Sequence, residues 1–284
     1  MSTFNGERFL EEQLNSLVEQ SFKNFQVLIR DDGSTDNTKT ILMDFENYLN
    51  IVYCHGTSHL GLFGSYSELL KRVRDFKFIA LCDQDDIWAP RKLEIQIESL
   101  KTSEKQLSTC NFTLIDENSK NLGFSHKFEK ERASYPFLLI RNTLPGNTYV
   151  FSGKLLKDFQ FTLNMPHDWY LVLIAAGLNS IYNCKEDLVA YRQHDFNFIG
   201  YKKNQNFSHN LLRRSRSVIL WRNNYLSEII GIKKNNYLSF MTCISILLST
   251  NLLSIGNKIE LALFLLCQQM AGWVGKLFDL ALVE

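Results

Sequence analysis

The fold is decided by ten residues, Phe25-Gln26-Val27-Leu28-Ile29-Arg30-Asp31-Asp32-Gly33-Ser34. Their first half is the largely apolar run of a short buried strand, and their second half contains a carboxylate pair followed by a glycine turn. Just upstream, apolar residues recur at the spacing of a helix, at Phe9, Leu10, Leu14 and Leu17. A helix, a strand and a polar turn in this order predict an α/β sheet that binds its ligand outside the carboxyl ends of its strands.

The same alternation of helical patterns and short apolar runs continues downstream. It predicts one helix over about 37–48 and another that ends near Arg74. The strands that it predicts cover 51–53, 78–82, 107–115 and 148–151. A turn-rich loop at 141–147 is expected on the side where an acceptor would bind, and a change of composition places a domain boundary near Ile199.

The composition is that of an ordinary globular enzyme. The 31 Lys and Arg residues nearly balance the 30 Asp and Glu residues, and the net charge of +1 gives no reason to expect nucleic acid as a partner. The six cysteines lie far apart, without a Cys-x-x-Cys pair, which fits neither a zinc site nor a disulfide scaffold. No basic segment followed by an apolar run opens the sequence, so we expect reduced thiols and a cytoplasmic active site.

A second acidic cluster, Asp83-Gln84-Asp85-Asp86, follows the apolar strand predicted at 78–82. Carboxylates that converge at a strand end repel one another without a cation, and Mg²⁺ or Mn²⁺ with substrate phosphate oxygens would satisfy them. The alternative is a solvated acidic turn in which Asp86 caps a helix that begins near Pro90. The neighbouring Trp88 and the acidic pair upstream favour the metal.

The carboxylate pair Asp31-Asp32 has two interpretations of about equal weight. The turn after it can place one carboxylate on a nucleobase N–H or on ribose hydroxyls. Alternatively, its Asp and Ser residues cap the following helix and bind nothing. The other motifs of the chain decide between the two.

Five motifs, in this order, resemble those of family 2 glycosyltransferases, and they are most similar to the bacterial rhamnosyltransferase-like branch that builds cell-wall and capsular polysaccharides. They are Ser2-Thr3-Phe4-Asn5-Gly6, Arg30-Asp31-Asp32-Gly33-Ser34-Thr35-Asp36-Asn37-Thr38, Asp83-Gln84-Asp85-Asp86-Ile87-Trp88, His167-Asp168-Trp169 and Tyr191-Arg192-Gln193-His194. The resemblance covers about residues 1–200. It implies a GT-A fold, which is a Rossmann-like mixed sheet flanked by helices. It also implies a dTDP- or UDP-sugar donor, a divalent metal, inversion at the anomeric carbon, and a saccharide or lipid-linked saccharide as acceptor.

The resemblance also implies a role for each motif. Asp168 would be the general base that takes the proton of the acceptor hydroxyl, although an isolated His-Asp-Trp is more typical of a helix start with a capping Asp. The predicted nucleotide and donor contacts are Thr3, Asn5, Asp31, Asp32, Asp83 and Arg192. The predicted metal ligands are Asp83, Asp85 and His194.

Residues 200–284 are expected to form a helical appendage to a catalytic domain at 1–199. Six basic residues without acidic partners open this region: Lys202, Lys203, Arg213, Arg214, Arg216 and Arg222. Residues 237–256 carry no charge but are too polar for a membrane span. Basic residues beside apolar stretches predict peripheral contact with anionic lipid at the inner face of the membrane.

Two other functional classes stay open at this point. A nucleotidyltransferase would also use strand-end carboxylates and a metal, but the first motif lacks the glycine-rich basic loop that grips a triphosphate. A non-catalytic relative is kept because family members have a short apolar strand before Ser2, whereas here Met1 directly precedes the motif. We expect this strand to be missing or truncated, which would leave an edge of the neighbouring strand bare and weaken donor binding.

Overall fold

The computed structural model describes residues 1–56, 58–128, 133, 138, 142–157, 166–195 and 197. All of them belong to Met1–Ile219, the first of the two units into which the chain divides. The predicted helical appendage at 200–284, its membrane contact and the boundary near Ile199 lie outside the described residues and stay predictions. Within the described ranges, no helix has the length and apolarity needed to cross a bilayer.

Strands and helices alternate over the first hundred described residues, and strands dominate after them. The strands are β1 (Ser2–Thr3), β2 (Val27–Asp31), β3 (Ile51–Tyr53), β4 (Phe78–Ala80), β5 (Ile87–Trp88), β6 (Leu107–Ile115), β7 (Asn121–His126), β8 (Val150–Ser152) and β9 (Ile181–Arg192). The α-helices are α1 (Leu10–Val18), α2 (Thr38–Asp44), α3 (Gly61–Arg72), α4 (Lys92–Ser103) and α5 (His167–Gly177). Short 3-10 turns follow α2 and flank β8, at Phe45–Asn47, Gly146–Thr148 and Gly153–Leu156.

A parallel three-stranded sheet in the order β1-β2-β3 carries the first two predicted motifs. Ser2 and Thr3 pair with Arg30 and Asp31, and the amino group of Met1 donates to the Leu28 carbonyl at 2.8 Å. The first strand of this sheet thus covers two residues of the motif itself, and the expectation that a strand before Ser2 is missing or truncated stays a prediction. The predicted strand at 25–29 begins and ends two residues later than expected, because its ladder with β1 extends to Asp31.

A mixed six-stranded sheet holds the remaining strands in the order β4-β8-β6-β9-β5, with β7 paired to β6. Its centre is the long parallel pair of β6 and β9, whose register shifts near Cys110 and Asn111. β9 ends at Arg192, which pairs with Ile115 of β6. β5, which directly follows the acidic loop at 83–86, pairs with Val189 and Ala190 of β9. The motif at 191–194 therefore lies next to the acidic loop.

The helices are held by apolar faces that match the predicted helical spacing. On α1, Leu10, Leu14 and Leu17 are at most 3% exposed, and the helix packs against β5. On α4, Leu93 and Ile97 are buried as the helix packs against β6 and β9. Each fully buried leucine or isoleucine stabilises the fold by about 1.5–3 kcal/mol, which fixes the strand ends on which the polar motifs lie.

An apolar cleft of about 890 Å³ lies between the edges of the two sheets. Its walls come from β2 and β4 and from the buried sides of α1, α3 and α4, and the Met1 side chain reaches into it. Representative lining residues are Met1, Leu17, Val27, Leu28, Ile79 and Leu81. The two-residue β1 covers β2 only from Leu28 onward, so the earlier part of β2 borders this cleft instead of a neighbouring strand.

Candidate active site

Two loops meet beyond the carboxyl ends of β1 and β4, next to the end of β2, which pairs with β1. The backbone N–H of Phe4 donates to Gln84 Oε1 at 2.9 Å, and Gln84 Nε2 donates to the Phe4 carbonyl at 3.2 Å. Gly6 leaves room for this contact, because a Cβ there would lie 2.5 Å from Gln84 Oε1. The first motif, the pair at the end of β2 and the acidic loop at 83–86 therefore border one space, as the sequence predicts. We call this space the crevice.

Asp32 is a buried carboxylate whose hydrogen-bonding capacity is used inside the protein. It is 3% exposed, it accepts the backbone N–H groups of Leu60 at 2.8 Å and Gly61 at 2.7 Å, and it pairs with the buried Arg30 guanidinium. Burial acts to raise the pKa of Asp32, but the hydrogen bonds from Leu60, Arg30 and Gly61 outweigh it and leave the pKa lowered. Asp32 thus fixes the loop before α3 in its ionised form.

Asp31 is the more exposed member of the pair. Its carboxylate accepts the Thr3 hydroxyl at 3.0 Å and the Ser34 backbone N–H at 3.0 Å, and its side chain keeps 13% of its surface exposed. Asn5 takes a left-handed conformation with φ of 45°, in which its Oδ1 accepts the Thr35 backbone N–H at 2.9 Å. Thr3 and Asn5 therefore shape the strand ends around Asp31, and Thr3 itself is fully buried.

Two aromatic rings form an exposed wall beside Asp31. The Phe4 ring is 45% exposed and lies 4.8 Å from the His59 ring, centroid to centroid. His59 Nδ1 lies 2.8 Å from the backbone oxygen of Asp32, which holds the imidazole at the end of β2. An exposed aromatic ring such as that of Phe4 can stack on a nucleobase.

Asp83 opens the acidic loop and is anchored by Tyr66 of α3. The Tyr66 hydroxyl donates to Asp83 Oδ1 at 2.9 Å and lies 2.8 Å from the Cys82 carbonyl oxygen. Burial, followed in size by the nearby charge of Asp85, raises the pKa of Asp83 to about 7. The carboxylates of this loop therefore destabilise each other's ionised forms.

Asp85 faces His194 from the end of β9. His194 Nε2 lies 2.9 Å from Asp85 Oδ2, and Asn197 Nδ2 donates to the same oxygen at 3.4 Å. Two of the three predicted metal ligands are thus in direct contact, and Asp83 is the next carboxylate of the loop. In the part of the chain that the structure describes, no three His, Cys, Asp or Glu side chains surround one point closely enough to hold a metal by themselves.

Arg192 is a buried brace of the acidic loop. Its side chain is 0% exposed, Nε donates to the Asp85 carbonyl at 2.8 Å, and Nη2 pairs with Glu12 at 3.1 Å. Nη1 donates to the β6–β7 turn, at the Asp116 carbonyl and the Ser119 hydroxyl. The guanidinium predicted to bind the diphosphate therefore makes its contacts within the protein.

Asp86 is the fully buried carboxylate of the loop. It accepts the Arg192 backbone N–H at 3.0 Å and the Asn147 side-chain amide. Burial and the neighbouring Asp85 raise its pKa. The helix cap considered for Asp86 is wrong, because α4 begins only at Lys92 and Asp86 bonds instead to β9 and to the 3-10 turn before β8.

Asp168 lies in the first turn of α5, on another wall of the crevice. Its Oδ2 accepts Asn142 Nδ2 at 2.9 Å, and the backbone N–H of Gly146 also contacts the carboxylate. Burial raises the pKa of Asp168 to about 6, in spite of these hydrogen bonds. The preceding His167 stacks on Tyr66 with 3.8 Å between the rings, and burial lowers its pKa to about 3, which keeps the imidazole neutral.

Three contributors to the site were not predicted from the sequence: Tyr66, Gln84 and Asn142. Tyr66 and Gln84 hold the acidic loop, whereas Asn142 holds Asp168. The only available signals were a tyrosine on the buried face of α3, an amide between two carboxylates and an asparagine that opens a turn. Each signal becomes specific only when its distant partner in the chain is known.

Curated proteins similar to this chain are bacterial glycosyltransferases. It is 30% identical over 224 residues to the dTDP-rhamnosyl transferase RfbG of Shigella flexneri, with 70% of this chain and 73% of that protein covered. It is 27% identical over 249 residues to WfgD of Escherichia coli, named UDP-Glc:alpha-D-GlcNAc-diphosphoundecaprenol beta-1,3-glucosyltransferase, with 84% and 94% covered.

Solved glycosyltransferase structures share the fold. TarS residues 1–349 of S. aureus, in complex with UDP-GlcNAc, superposes with a TM-score of 0.57 at 16% identity and covers 86% of this chain and 78% of that chain. The mannosyltransferase PcManGT of Pyrobaculum calidifontis, in complex with GDP-Man and Mn²⁺, gives 0.52 at 14% identity, with 98% and 86% covered. The predicted GT-A fold, a mixed sheet flanked by helices, is confirmed.

The family model described as glycosyl transferase family 2 matches residues 1–156 of the 284. This segment contains β1 to β8 and thus the first three of the five motifs, in the order in which the sequence analysis identified them. A match over more than half of the chain, together with the bacterial relatives, shows the family. The chain belongs to glycosyltransferase family 2.

Proposed function

We propose that this chain is an inverting, metal-dependent glycosyltransferase of cell-surface polysaccharide synthesis. It would transfer a hexosyl or rhamnosyl group from a dTDP- or UDP-sugar to a hydroxyl of a saccharide or lipid-linked saccharide. The observation that carries the proposal is the joint placement of two kinds of carboxylate. Asp168 on α5 and Asp83 in the acidic loop border one crevice, and Tyr66 bridges them by bonding to Asp83 and stacking on His167.

On the donor side, the exposed Phe4 and His59 rings would receive the nucleobase, and Asp31 would bind the ribose or base edge. Asp31 is suited to this because it is more exposed than Asp32 and already bonds to the strand-end residue Thr3. Asp32 and Asn5 support the site by fixing the loops around it, since their side-chain oxygens bond to backbone N–H groups.

The acidic loop fits a divalent cation. Asp83 and Asp85 would hold Mg²⁺ or Mn²⁺, and His194, 2.9 Å from Asp85, would orient or complete this pair. Two carboxylates with no closed set of protein ligands match a hard cation that takes its other ligands from water and phosphate oxygens. When bound, the cation neutralises negative charge on the departing diphosphate. Arg192 would act indirectly, by bracing the backbone of the loop.

Asp168 would accept the proton of the acceptor hydroxyl as that oxygen attacks the anomeric carbon and the bond to the diphosphate breaks on the opposite face. A pKa of about 6 suits this role, because the carboxylate is ionised near neutral pH and remains basic enough to take the proton. The likeness to RfbG makes dTDP-rhamnose the first donor to test, and the likeness to WfgD makes a saccharide on a polyprenyl diphosphate the first acceptor.

The proposal is tested by a panel of dTDP- and UDP-sugars with a lipid-diphosphate-linked acceptor, measuring released nucleotide diphosphate and, by NMR, the anomeric configuration of the product. We expect inversion and a loss of transfer of about 10²-fold or more in Asp168→Asn, with donor binding retained. Retention of configuration, or full transfer by Asp168→Asn, would contradict it. Nucleotide binding without transfer from any donor would favour a non-catalytic relative.

We also propose that the region after Ile199 holds the protein peripherally at the inner face of the membrane. Support comes from the sequence alone, where basic residues between 202 and 222 adjoin apolar stretches. High salt or an alkaline wash should then release the protein from membrane fractions, because both weaken contacts with anionic headgroups. Extraction by detergent alone would instead indicate a membrane-spanning segment.

A further inference from the structure

The loop before β8 presses directly against Asp168. A Cβ placed on Gly146 would lie 2.8 Å from the Asp168 Cβ and 3.3 Å from Leu81 Cδ1, so only glycine allows the loop backbone to approach this closely. The Gly146 backbone N–H can then contact the carboxylate, which it does. Glycine at position 146 is therefore required for the close packing of this loop against Asp168.

Asn142 gives the same carboxylate a side-chain donor whose orientation is fixed. Its Nδ2 donates to Asp168 Oδ2 at 2.9 Å, while its Oδ1 accepts the Leu144 backbone N–H at 3.0 Å. The Leu144 carbonyl in turn accepts the hydroxyl of the buried Tyr149 at 2.6 Å. Because the amide oxygen is already bonded, the amide nitrogen can only point toward Asp168.

We propose that Asn142 is a positioning residue that holds the Asp168 carboxylate in one orientation toward the crevice. This inference rests on the proposed role of Asp168 as the general base. With Oδ2 held by the amide, rotation of the carboxylate about its Cβ–Cγ bond is restrained, and the backbone N–H groups of Trp169 and Gly146 add to this restraint. Asn142 touches neither reacting atom, and its effect on the reaction passes through Asp168.

The hydrogen bond also influences when Asp168 is ionised. A donor to a carboxylate favours the ionised form, so Asn142 acts to lower the pKa of Asp168 against the larger, raising effect of burial. The other titratable groups that face Asp168 come from three elements: Asp83 from the acidic loop, Tyr149 beside β8 and Tyr191 from β9. Both tyrosines have raised pKa values and stay neutral, as does His167.

The test is the pH dependence of kcat with the donor and acceptor identified for the parent enzyme. In Asn142→Ala we expect the acidic limb of the profile to move up by about one pH unit, since losing the donor raises the pKa of the base. Turnover would then fall about fivefold near pH 6, where the ionised fraction of the base drops from about a half to about a tenth, and recover to within about twofold at pH 8.5. Asn142→Asp, nearly isosteric but anionic, should move the limb further in the same direction.

Asn15→Ala, the same substitution on the exposed face of α1, is the matched control and should leave the profile unchanged. An equal loss at every pH, or an unmoved limb in both Asn142 variants, would overturn the proposal, and so would failure of both variants to fold. The outcome separates from that of the proposed function. If Asp168→Asn is inactive while the Asn142 variants behave as the parent, the assignment of Asp168 as the general base is retained and only the positioning role of Asn142 is excluded.

Discussion

The two acidic loops of the crevice use their carboxylates in opposite ways. At the end of β2, Asp32 receives two backbone N–H groups and a buried guanidinium, and its pKa is lowered. After β4, burial and then the nearby charge of Asp85 raise the pKa values of Asp83 and Asp86. Buried carboxylates satisfied by the protein stabilise a fold, whereas crowded ones destabilise it until something positive binds. The first loop therefore mainly stabilises the fold, whereas the second is suited to binding a positively charged ligand.

We expect the largest effect from a substitution in the first loop, where loss of the Asp32 charge should lower the stability of the fold. Asp32→Asn removes the charge that faces Arg30, a guanidinium only 2% exposed, and turns an amide toward the N–H groups of Leu60 and Gly61. Leaving a buried charge without its partner costs about 3–5 kcal/mol. We expect urea unfolding at pH 7 to show a loss of this size, whereas Asp44→Asn, at the exposed end of α2, should change it by less than about 0.5 kcal/mol. A stable Asp32→Asn protein would mean that Asp32 does not anchor the loop.

In the second loop the effect should fall on the reaction and not on the fold. Asp85→Ala removes a proposed metal ligand, and we expect turnover to drop by about 10²-fold or more, as it should in excess chelator. The melting temperature should stay constant or rise, because the substitution also relieves repulsion with Asp83 and Asp86. Both quantities can be measured on the same preparation. A melting temperature that falls in parallel with activity would give Asp85 the structural role assigned to Asp32.

Asp168 extends the comparison to α5, because its pKa of about 6 lies above the ordinary value of 3.8. A carboxyl with a raised folded-state pKa takes up protons on folding, so it costs stability as pH rises from about 4 to about 6. Asp168→Asn should therefore match the parent in stability at pH 4 and exceed it at pH 8, by on the order of 1–3 kcal/mol. Urea unfolding at the two pH values measures this difference. A variant no more stable at pH 8 than the parent would show that Asp168 is not destabilised by its surroundings.

The sequence predicted the parts of this site that are local and missed those that depend on distant contacts. The boundaries of β3 and β6 were predicted correctly, because short apolar runs there end at polar turns. β9 was missed because Lys185, Glu186 and Asp187 interrupt its pattern like a surface turn, although the strand continues beside β6 through a register shift.

Arg192 illustrates the same limit at the level of one side chain. The motif predicts that Arg192 is a cation available to the donor. Its partner Glu12, however, lies 180 residues away in the chain, and no spacing rule connects the two. Asn142 and Asp168 are 26 residues apart, and no spacing rule connects these two either. Motif order was thus enough to identify the crevice, whereas the division of its residues into contacts and braces required the fold.

The smallest expected effect concerns the apolar cleft of about 890 Å³ beside the first loop. The register of β1 with β2 places the Met1 amino group against the Leu28 carbonyl, so residues fused in front of Met1 would run along β2 into the cleft. Each apolar side chain buried there would contribute about 1.5–3 kcal/mol, and ordering each residue would cost about 1–2 kcal/mol plus side-chain entropy. For a fused strand of about six residues, the typical strand length, these opposing contributions nearly cancel, so we expect a rise in melting temperature of only about 1–3 °C. Nucleotide affinity should increase as well, because Thr3 and Phe4 continue the same strand into the crevice.

The matched control is a fusion of six Gly and Ser residues, which relocates the charged amino group in the same way but cannot fill the cleft. Equal melting temperatures and nucleotide affinities for the apolar and Gly/Ser fusions would show that the two sheets are complete without a longer first strand.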